Sequence, residues 1–527
     1  MLGRTAPRRA HPMRGLSRIP AAVVLLAGIA AAMPISAAET PPGPMACVGN
    51  PPRQIEDPLG PPCTAWFGDD NGGSTWKGVS GDTITVVLYN DLGISGDMNA
   101  AYDAGDEDPV LQTQFQYRNL TRTVKAQLRY FASRFETYSR EVRVVAVPSG
   151  GGLATVPDQR RGEMLIIDHQ YNPFAVVFIG GNAQSAFTLA ADRGISSFGT
   201  LSEVPREIFI DGAPFIWSML PDQETQASLS ADFICSKLDS GTARFANDPL
   251  LAGRSRTFGL MYEQRSQRGP QSEQLAALLQ QEFEDRCGRP FDLVRPFVGK
   301  QELAASVAAM KLEGITTLVC YCIPQQSEFD VPAAQGVATA LGYQPEWFWD
   351  PTSGMDKVIW QRLHGSPVHR GFGNTWYWRQ PPLREQFHYR AFGQTDPEGT
   401  PNVRWSFDIY HSLLQLFTAI QMAGPTLDPS HVLTGMSQIA IRTPSYPFVP
   451  IGGYEKSKTN PYSFIDTAMG WWWDPSGTEP GGQQSSGCMR VINEGHRASL
   501  DEWPPGDQDL FASGDPCTGA PIALLEP

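Results

Sequence analysis

Twice along this 527-residue chain, short β-branched runs alternate with longer amphipathic ones, and that alternation restricts the fold more than any other feature. The first series begins with the strand "DTITVVLYND" (Asp82 to Asp91), a helix from about Leu111 to Tyr138 and a strand over Val142 to Val147. It continues with the helix "DQRRGEMLIIDHQ", a buried strand from Phe174 to Ile179, the helix "AQSAFTLAADRG" and the short strand "ISSFG". A crossing segment, "APFIWSMLPDQETQASLSADFICSKL", follows, and the series restarts. The second runs "TFGLMYEQ", a helix from Ser272 to Cys287, "FDLVRPFVG", a helix from Glu302 to Glu313, "TTLVCYC", a helix near Pro332 to Leu341, and "PEWFWD". Strands that alternate with helices, with glycines at their exits, build parallel sheets covered by helices on both faces. Two such series predict an α/β protein of two Rossmann-like lobes.

The ends of the chain carry other signals. The first 38 residues hold Arg4, Arg8, Arg9, Arg14 and Arg18, then the apolar run "AAVVLLAGIAAAM" and the small-residue site "SAA", which together read as an export signal cleaved before Glu39. Loss of that leader leaves 489 residues, more than one core usually holds. It also leaves 36 basic residues against 55 acidic ones and moves the net charge from −14 to −19, which excludes nucleic acid as the natural partner. The expected product is exported, soluble, and resident in the cell envelope or outside it. The predicted organisation is a signal peptide over 1–38, a Pro/Gly-rich arm over 39–80, lobe 1 over 81–225 and lobe 2 over 226–390. A crossover helix and return to lobe 1 take 391–480, and a tail takes 481–527.

The crossover helix lies in "RWSFDIYHSLLQLFTAIQMAGPTLDP", Arg404 to Pro429, where Phe407, Tyr410, Leu413, Leu414, Phe417 and Ile420 recur at three- and four-residue steps. Ile409 and Leu416 widen the stripe until only Asp408, Ser412, Gln415 and Thr418 form a polar seam. Gly424-Pro425 stops it.

All eight cysteines lie in the exported part, and an even count in an oxidising compartment favours disulfides. Position in the two loop-rich ends pairs Cys47 with Cys63 and Cys488 with Cys517, whereas Cys235, Cys287, Cys320 and Cys322 stay unassigned. Cys320-Tyr321-Cys322 has the wrong spacing for zinc, so neither metal nor cofactor is expected.

No G-x-S-x-G elbow, H-E-x-x-H helix or P-loop is present, and the eight histidines are scattered singly. No catalytic residue is predicted. Ligands of open parallel sheets sit beyond the carboxyl ends of the strands. On that geometry lobe 1 offers Asn90, Asp91, Ser95, the turn residues Gly181, Asn182 and Ser185, and Ser196 with Ser197, while lobe 2 offers Tyr262, Glu263, Gln325 and Trp349. Gly180-Gly181 admits either a ligand close to the backbone or simply a tight turn. Trp347, Trp349, Trp376 and Trp378 alternate at two-residue steps and suit either core packing or a stacking wall for a ligand.

From about Gly81 to Arg497 the order of "NDLG", "VVFIGGNAQS", "APFIW", "GITTLVCYC" and "FDIYHSLLQLFTAIQMAGPTLDP" resembles the type I periplasmic solute-binding proteins, the branched-chain amino-acid-binding group. The resemblance implies the periplasmic binding protein type I fold, two lobes that hinge shut on a small-molecule ligand, no enzymatic activity, and a membrane permease as partner in an ABC-type importer. It favours Ser185 and its neighbours as ligand contacts. The sequence departs from the leucine-binding members after the fourth strand, where "SSFGTLSEVP" replaces their carboxylate-holding turn. Two other classes stay open: a secreted enzyme whose active site is assembled by folding, and a ligand-sensing or surface-interaction protein.

Overall fold

The computed structural model describes residues 47–152, 155–180, 184–200, 204–264, 271–322, 330–351, 354–358, 361, 370–377, 381–441, 450–478, 487–512, 514, 515 and 517. The leader 1–38 lies outside them.

The first sheet grows from the predicted series: β1 (Thr83–Asn90), β2 (Gly96–Asp97), β3 (Glu141–Pro148), β4 (Ala175–Ile179), β5 (Ser196–Gly199) and β6 (Ile216–Ser218), in spatial order β2-β3-β1-β4-β5-β6. All pairs are parallel except β2 with β3. Helices α1 (Leu120–Ala132), α2 (Pro157–Tyr171), α3 (Gln184–Asp192) and α4 (Arg206–Asp211) connect them. The expected helix over 111–138 is shorter, because 3-10 turns occupy 111–117 and Asn119 takes a left-handed φ of 57° before α1 starts.

The second sheet holds β7 (Phe258–Glu263), β8 (Leu293–Phe297), β9 (Thr317–Tyr321), β10 (Glu346–Trp349) and β11 (Gly371–Thr375), all parallel to their neighbours, with α5 (Gln223–Phe233), α6 (Gln271–Cys287), α7 (Lys300–Leu312) and α8 (Asp330–Ala340) around it. The chain then returns to the first lobe with α9 (Phe387–Thr395), α10 (Ser406–Ala423), α11 (Pro429–Met436) and the small pair β12 (Ala440–Ile441) and β13 (Gly452–Gly453).

The aromatic stretch "AMGWWWD" does not return through lobe 1, as its sequence suggested. It is β14 (Ala468–Asp474), which pairs antiparallel with β11 and carries β15 (Cys488–Val491) and β16 (Arg497–Ala498) on its other side. The reason is packing: Phe372 sits opposite Trp472, and Trp472 packs edge-on to Phe245, so these rings finish the core of the second lobe.

Helix α10 spans the predicted stretch and ends at Gly424, whose φ of 83° only glycine adopts without strain. Nearly its whole circumference is buried against β4, β5 and α1, and Phe417 stacks on Phe131 at 5.6 Å. Its polar seam is used: Gln415 accepts from the Gly199 amide at 2.9 Å and donates to the Tyr454 hydroxyl at 2.6 Å.

Both ends of the described chain are folded onto a lobe. Cys47 pairs with Cys63, and the arm they close lays buried Ile55 and Leu59 into lobe 1, while Gln421 of α10 donates to the Pro62 carbonyl at 3.0 Å. Cys488 pairs with Cys517, and the tail stacks Phe511 on Phe245 of lobe 2 at 3.9 Å. The remaining pairs are Cys235–Cys287 and Cys320–Cys322, so all eight cysteines are bonded.

Candidate functional site

Connectivity decides where a shared site can lie. The chain crosses between the lobes three times: after β6 through Met219–Asp222, after β11 through Trp376 and Tyr377, and before β14 through Asp466 and Thr467. The first two crossings leave from strand carboxyl ends, and the third joins β14 beside the carboxyl end of β11, where Thr375 faces Met469. Both sheets therefore present their strand exits at the hinge. The crossings are bonded to each other: the Ser218 amide donates to the Tyr462 carbonyl at 2.9 Å, and the Ile465 amide to the Met219 carbonyl at 3.1 Å.

In lobe 1 the exits of β1, β3 and β4 are filled by the protein's own groups. Asn90 is fully buried, donates to the Ile94 carbonyl at 2.9 Å and accepts from the Ile94 amide at 3.0 Å, so it shapes the loop that follows β1. Asp91 takes both guanidinium nitrogens of buried Arg160, at 2.8 and 2.9 Å, and the Ser149 hydroxyl at 2.6 Å. Burial works against the Arg160 charge, and its bonds to Asp91 more than offset that, holding its pKa above the ordinary value. Beside it the Tyr89 hydroxyl donates to Glu163 at 2.6 Å, and burial, with Glu163 acting the same way, raises the Tyr89 pKa. The glycine at the β4 exit serves this cluster: Gly180 has φ of 142°, and a Cβ there would meet Asp91 Cβ at 2.7 Å. The tight approach is by Asp91.

The other lobe 1 candidates divide. Ser95 is exposed on the loop after β1. Ser185 opens α3 and donates to the Pro157 carbonyl at 3.1 Å, which sets the N-termini of α2 and α3 side by side. Ser196 and Ser197 are fully buried at the start of β5, the end away from the exits, and their hydroxyls have no hydrogen-bond partner among the described residues. The exit of β5 is instead Thr200, whose hydroxyl donates to Asp408 of α10 at 3.2 Å. Gly181, Asn182 and Gln325 lie outside the described residues.

In lobe 2, Tyr262 and Glu263 end β7; Tyr262 is partly exposed, and burial, with Glu273 adding to it, raises its pKa. Trp349 ends β10 but is fully buried and stacks on Trp347 at 5.1 Å, so it belongs to the core. The exits of β10 and β11 carry a polar group the sequence did not single out: Asp350, Asp356, Asn374 and Thr375, with Ser230 of α5 3.4 Å from both Asp350 and Asn374. Thr375 donates to Asp356 at 2.5 Å, and burial pushes Asp356 up to about 7. Asn374 Nδ2 and Asp356 Oδ1 are buried with no partner among the described residues. Each such group costs about 1–3 kcal/mol when left unsatisfied, which a bound molecule or water would relieve. Lys357 reaches across the hinge, 4.6 Å from the Tyr377 ring and 5.5 Å from that of Phe407 in lobe 1.

Two missed residues left a trace in the sequence. Arg160 stands in the first turn of the helix after β3, where a parallel sheet always brings a helix start to the strand exits. Asn374 follows the run "GFG", which lacks the β-branched residues that mark a strand.

A cavity of about 20 Å³ lies in lobe 1 beside the first crossing, between Leu59, Met219, Leu414, Thr418, Met436 and Phe464, and has room for one water molecule. Among the described residues no group of three or more His, Cys, Asp or Glu is placed to hold a metal, and no helix is long and apolar enough to cross a membrane.

No known family's sequence model matches this chain, and neither does any curated protein sequence. In fold it is similar to several solved structures. One is an ABC-transporter solute-binding protein from R. palustris in complex with 4-hydroxybenzoate, 11% identical, with a TM-score of 0.51 over 80% of this chain and 99% of that one. Another, from Rhodopseudomonas palustris BisB5 in complex with 3,4-dihydroxy benzoic acid, is 9% identical, with a TM-score of 0.53 over 80% and 98%. A substrate-binding protein from Aeropyrum pernix is 10% identical, with a TM-score of 0.53 over 80% and 97%. The fold is that of the type I periplasmic solute-binding proteins.

Proposed function

We propose that this is an exported solute-binding protein that closes two lobes on a small molecule and passes the closed form to a membrane permease. The observation that carries the reading is the placement of both sets of strand exits at one three-stranded hinge. Closure about such a hinge removes polar groups of both lobes from water together, and only a ligand that prefers the closed state can drive it. Asn374 and Asp356 supply the polar contacts of lobe 2, with Tyr262 and Glu263 further along the same sheet edge at the exit of β7; Ser185 and Thr200 supply those of lobe 1. The hydroxybenzoates held by two of the similar folds make aromatic carboxylic acids the first class to test. The absence of a recognisable nucleophile–base pair in the sequence supports binding over turnover.

Mass spectrometry of the protein as purified should reveal the ligand, with titration of hydroxybenzoates as the directed test. Ligand at about a hundred times its dissociation constant should stabilise the fold by about 2.7 kcal/mol and shrink the radius of gyration. Binding without any change in scattering would remove the clamp, and chemical turnover of the bound compound would replace it with an enzyme.

A further inference from the structure

We propose that Arg497 is a latch across the hinge, through which the C-terminal tail holds two of the three crossings in register. Arg497 lies in β16, opposite Met469 of β14. Its Nη1 donates to the Tyr377 carbonyl at 2.8 Å, and its Nη2 to the Trp376 carbonyl at 2.9 Å and the Thr467 carbonyl at 2.7 Å. Its Nε donates to the Thr467 hydroxyl at 2.9 Å. One planar group thus fixes backbone carbonyls of the second crossing and of the third. The fork of a guanidinium cannot bend to follow carbonyls that turn separately, so the two crossings rotate together or the bonds break.

Both held segments bear directly on lobe 1. Trp376 is buried in the lobe 1 core, and the Tyr377 ring meets Phe407 of α10 edge-on at 5.2 Å. The Tyr377 amide is held by Thr375 at 3.0 Å, and the Thr467 hydroxyl donates to the Ile451 carbonyl of lobe 1 at 3.1 Å. Hinges work through a few residues that absorb a change of backbone angle, and these are such residues. Arg497 itself sits inside the loop closed by Cys488 and Cys517, on a tail that Lys237 anchors to lobe 2 through Asp509 at 2.6 Å and the Pro504 carbonyl at 2.9 Å. The role of the latch is to set how far apart the lobes stand before a ligand arrives, and in that sense it rests on the two-lobe reading above.

The test reads the lobe separation without any ligand. Spin labels at Ile166→Cys on lobe 1 and Leu312→Cys on lobe 2, which are 62% and 85% exposed, report the inter-lobe distance by pulsed dipolar spectroscopy. Arg497→Met should broaden that distribution roughly two-fold, and Arg497→Lys, which keeps the charge but not the fork, should fall between it and the parent. Lys237→Met, which releases the same tail away from the crossings, should leave the width unchanged. Should Arg497→Met fail to fold, Thr467→Val removes one bond of the latch and should broaden the distribution by a smaller factor. A parent-like width in the Arg497 and Thr467 variants overturns the latch, and so does equal broadening by Lys237→Met. Failure to find a ligand would sink the solute-binding reading and leave this measurement intact.

Discussion

Among the described residues each lobe has one fully buried bidentate arginine–carboxylate pair, but at opposite ends of its sheet. In lobe 1, Asp91 and Arg160 meet at the strand exits. In lobe 2, Arg256 and Glu346 meet at 2.8 Å near the strand starts, both fully buried, and Asp507 of the tail joins at 3.0 Å. The first pair fills the mouth of its own sheet beside β1, β3 and β4, so the proposed clamp would meet its ligand at the start of α3 and the exit of β5. The second locks the base of its sheet, and at its strand exits Asp356 Oδ1 and Asn374 Nδ2 have no partner among the described residues. A pair at the base governs stability alone; a pair at the mouth governs stability and the shape of the site.

The largest test of that contrast is Glu346→Gln, which leaves Arg256 the Asp507 carboxylate and takes away one of the two acceptor oxygens that Arg256, Thr317 and the Phe245 amide share. Breaking such a buried pair costs about 3–5 kcal/mol, read by urea unfolding, and binding by the protein that remains folded should be unchanged. Asp91→Asn should cost about 3 kcal/mol and weaken binding as well, because an amide keeps one acceptor oxygen but neither the second oxygen nor the charge that Arg160 and Ser149 use. Unaltered affinity in Asp91→Asn would dissolve the difference between the two pairs.

The lobes should also differ with pH. Burial pushes Asp356 up to about 7, so its contribution to stability is full at low pH and is lost as pH rises through 7. In lobe 1 burial pulls His411 down to about 3, so its contribution is present above the usual histidine range and is lost as pH falls toward 3. Burial also raises Asp57 to about 6, which runs in the same direction as Asp356. Asp356→Asn should therefore stabilise the protein at pH 8 by up to about 4 kcal/mol and do little at pH 4, measured by denaturant unfolding across that range.

Smaller effects sharpen the picture. Chain entropy assigns about 1.6 kcal/mol to the three-residue loop of Cys320–Cys322, against about 4 kcal/mol for Cys235–Cys287, so serine replacement of each pair should separate them in melting temperature. Least of all, Ser197→Ala should stabilise the fold by about 1 kcal/mol, since its buried hydroxyl has no partner among the described residues and its removal relieves the cost of leaving that group unsatisfied.

What could be read from the sequence follows from how local its cause is. Strands such as β1 and β4 are unbroken β-branched or aromatic runs buried on both faces, and the pattern locates them within a residue or two. Strand β11, "GFGNT", has no such run and exists because Trp472 and Phe348 flank it, so the run itself does not show to which lobe its partner β14 belongs. The same holds at the site. Ser196 and Ser197 stand at the start of a four-residue strand and Thr200 follows its end, an order that the run "ISSFG" does not fix. Trp349 alternates like a wall residue, but in a sheet covered on both faces each alternate side chain is core. Asp356 leaves no mark in the sequence, because its setting is made by Thr375, which only the parallel pairing of β11 with β10 brings near.

The order of the elements has a consequence for the chain as it is made. Lobe 1 is not closed until α10, and lobe 2 waits for β14, β15 and β16, so a ribosome must pass residue 498 before both bodies have all their parts. Until α10 is made β4 and β5 lack the helix that covers them, and until β14 is made β11 presents an unpaired edge. A nascent chain so arranged stays sticky through most of its synthesis, which makes it a client for chaperones that hold rather than fold.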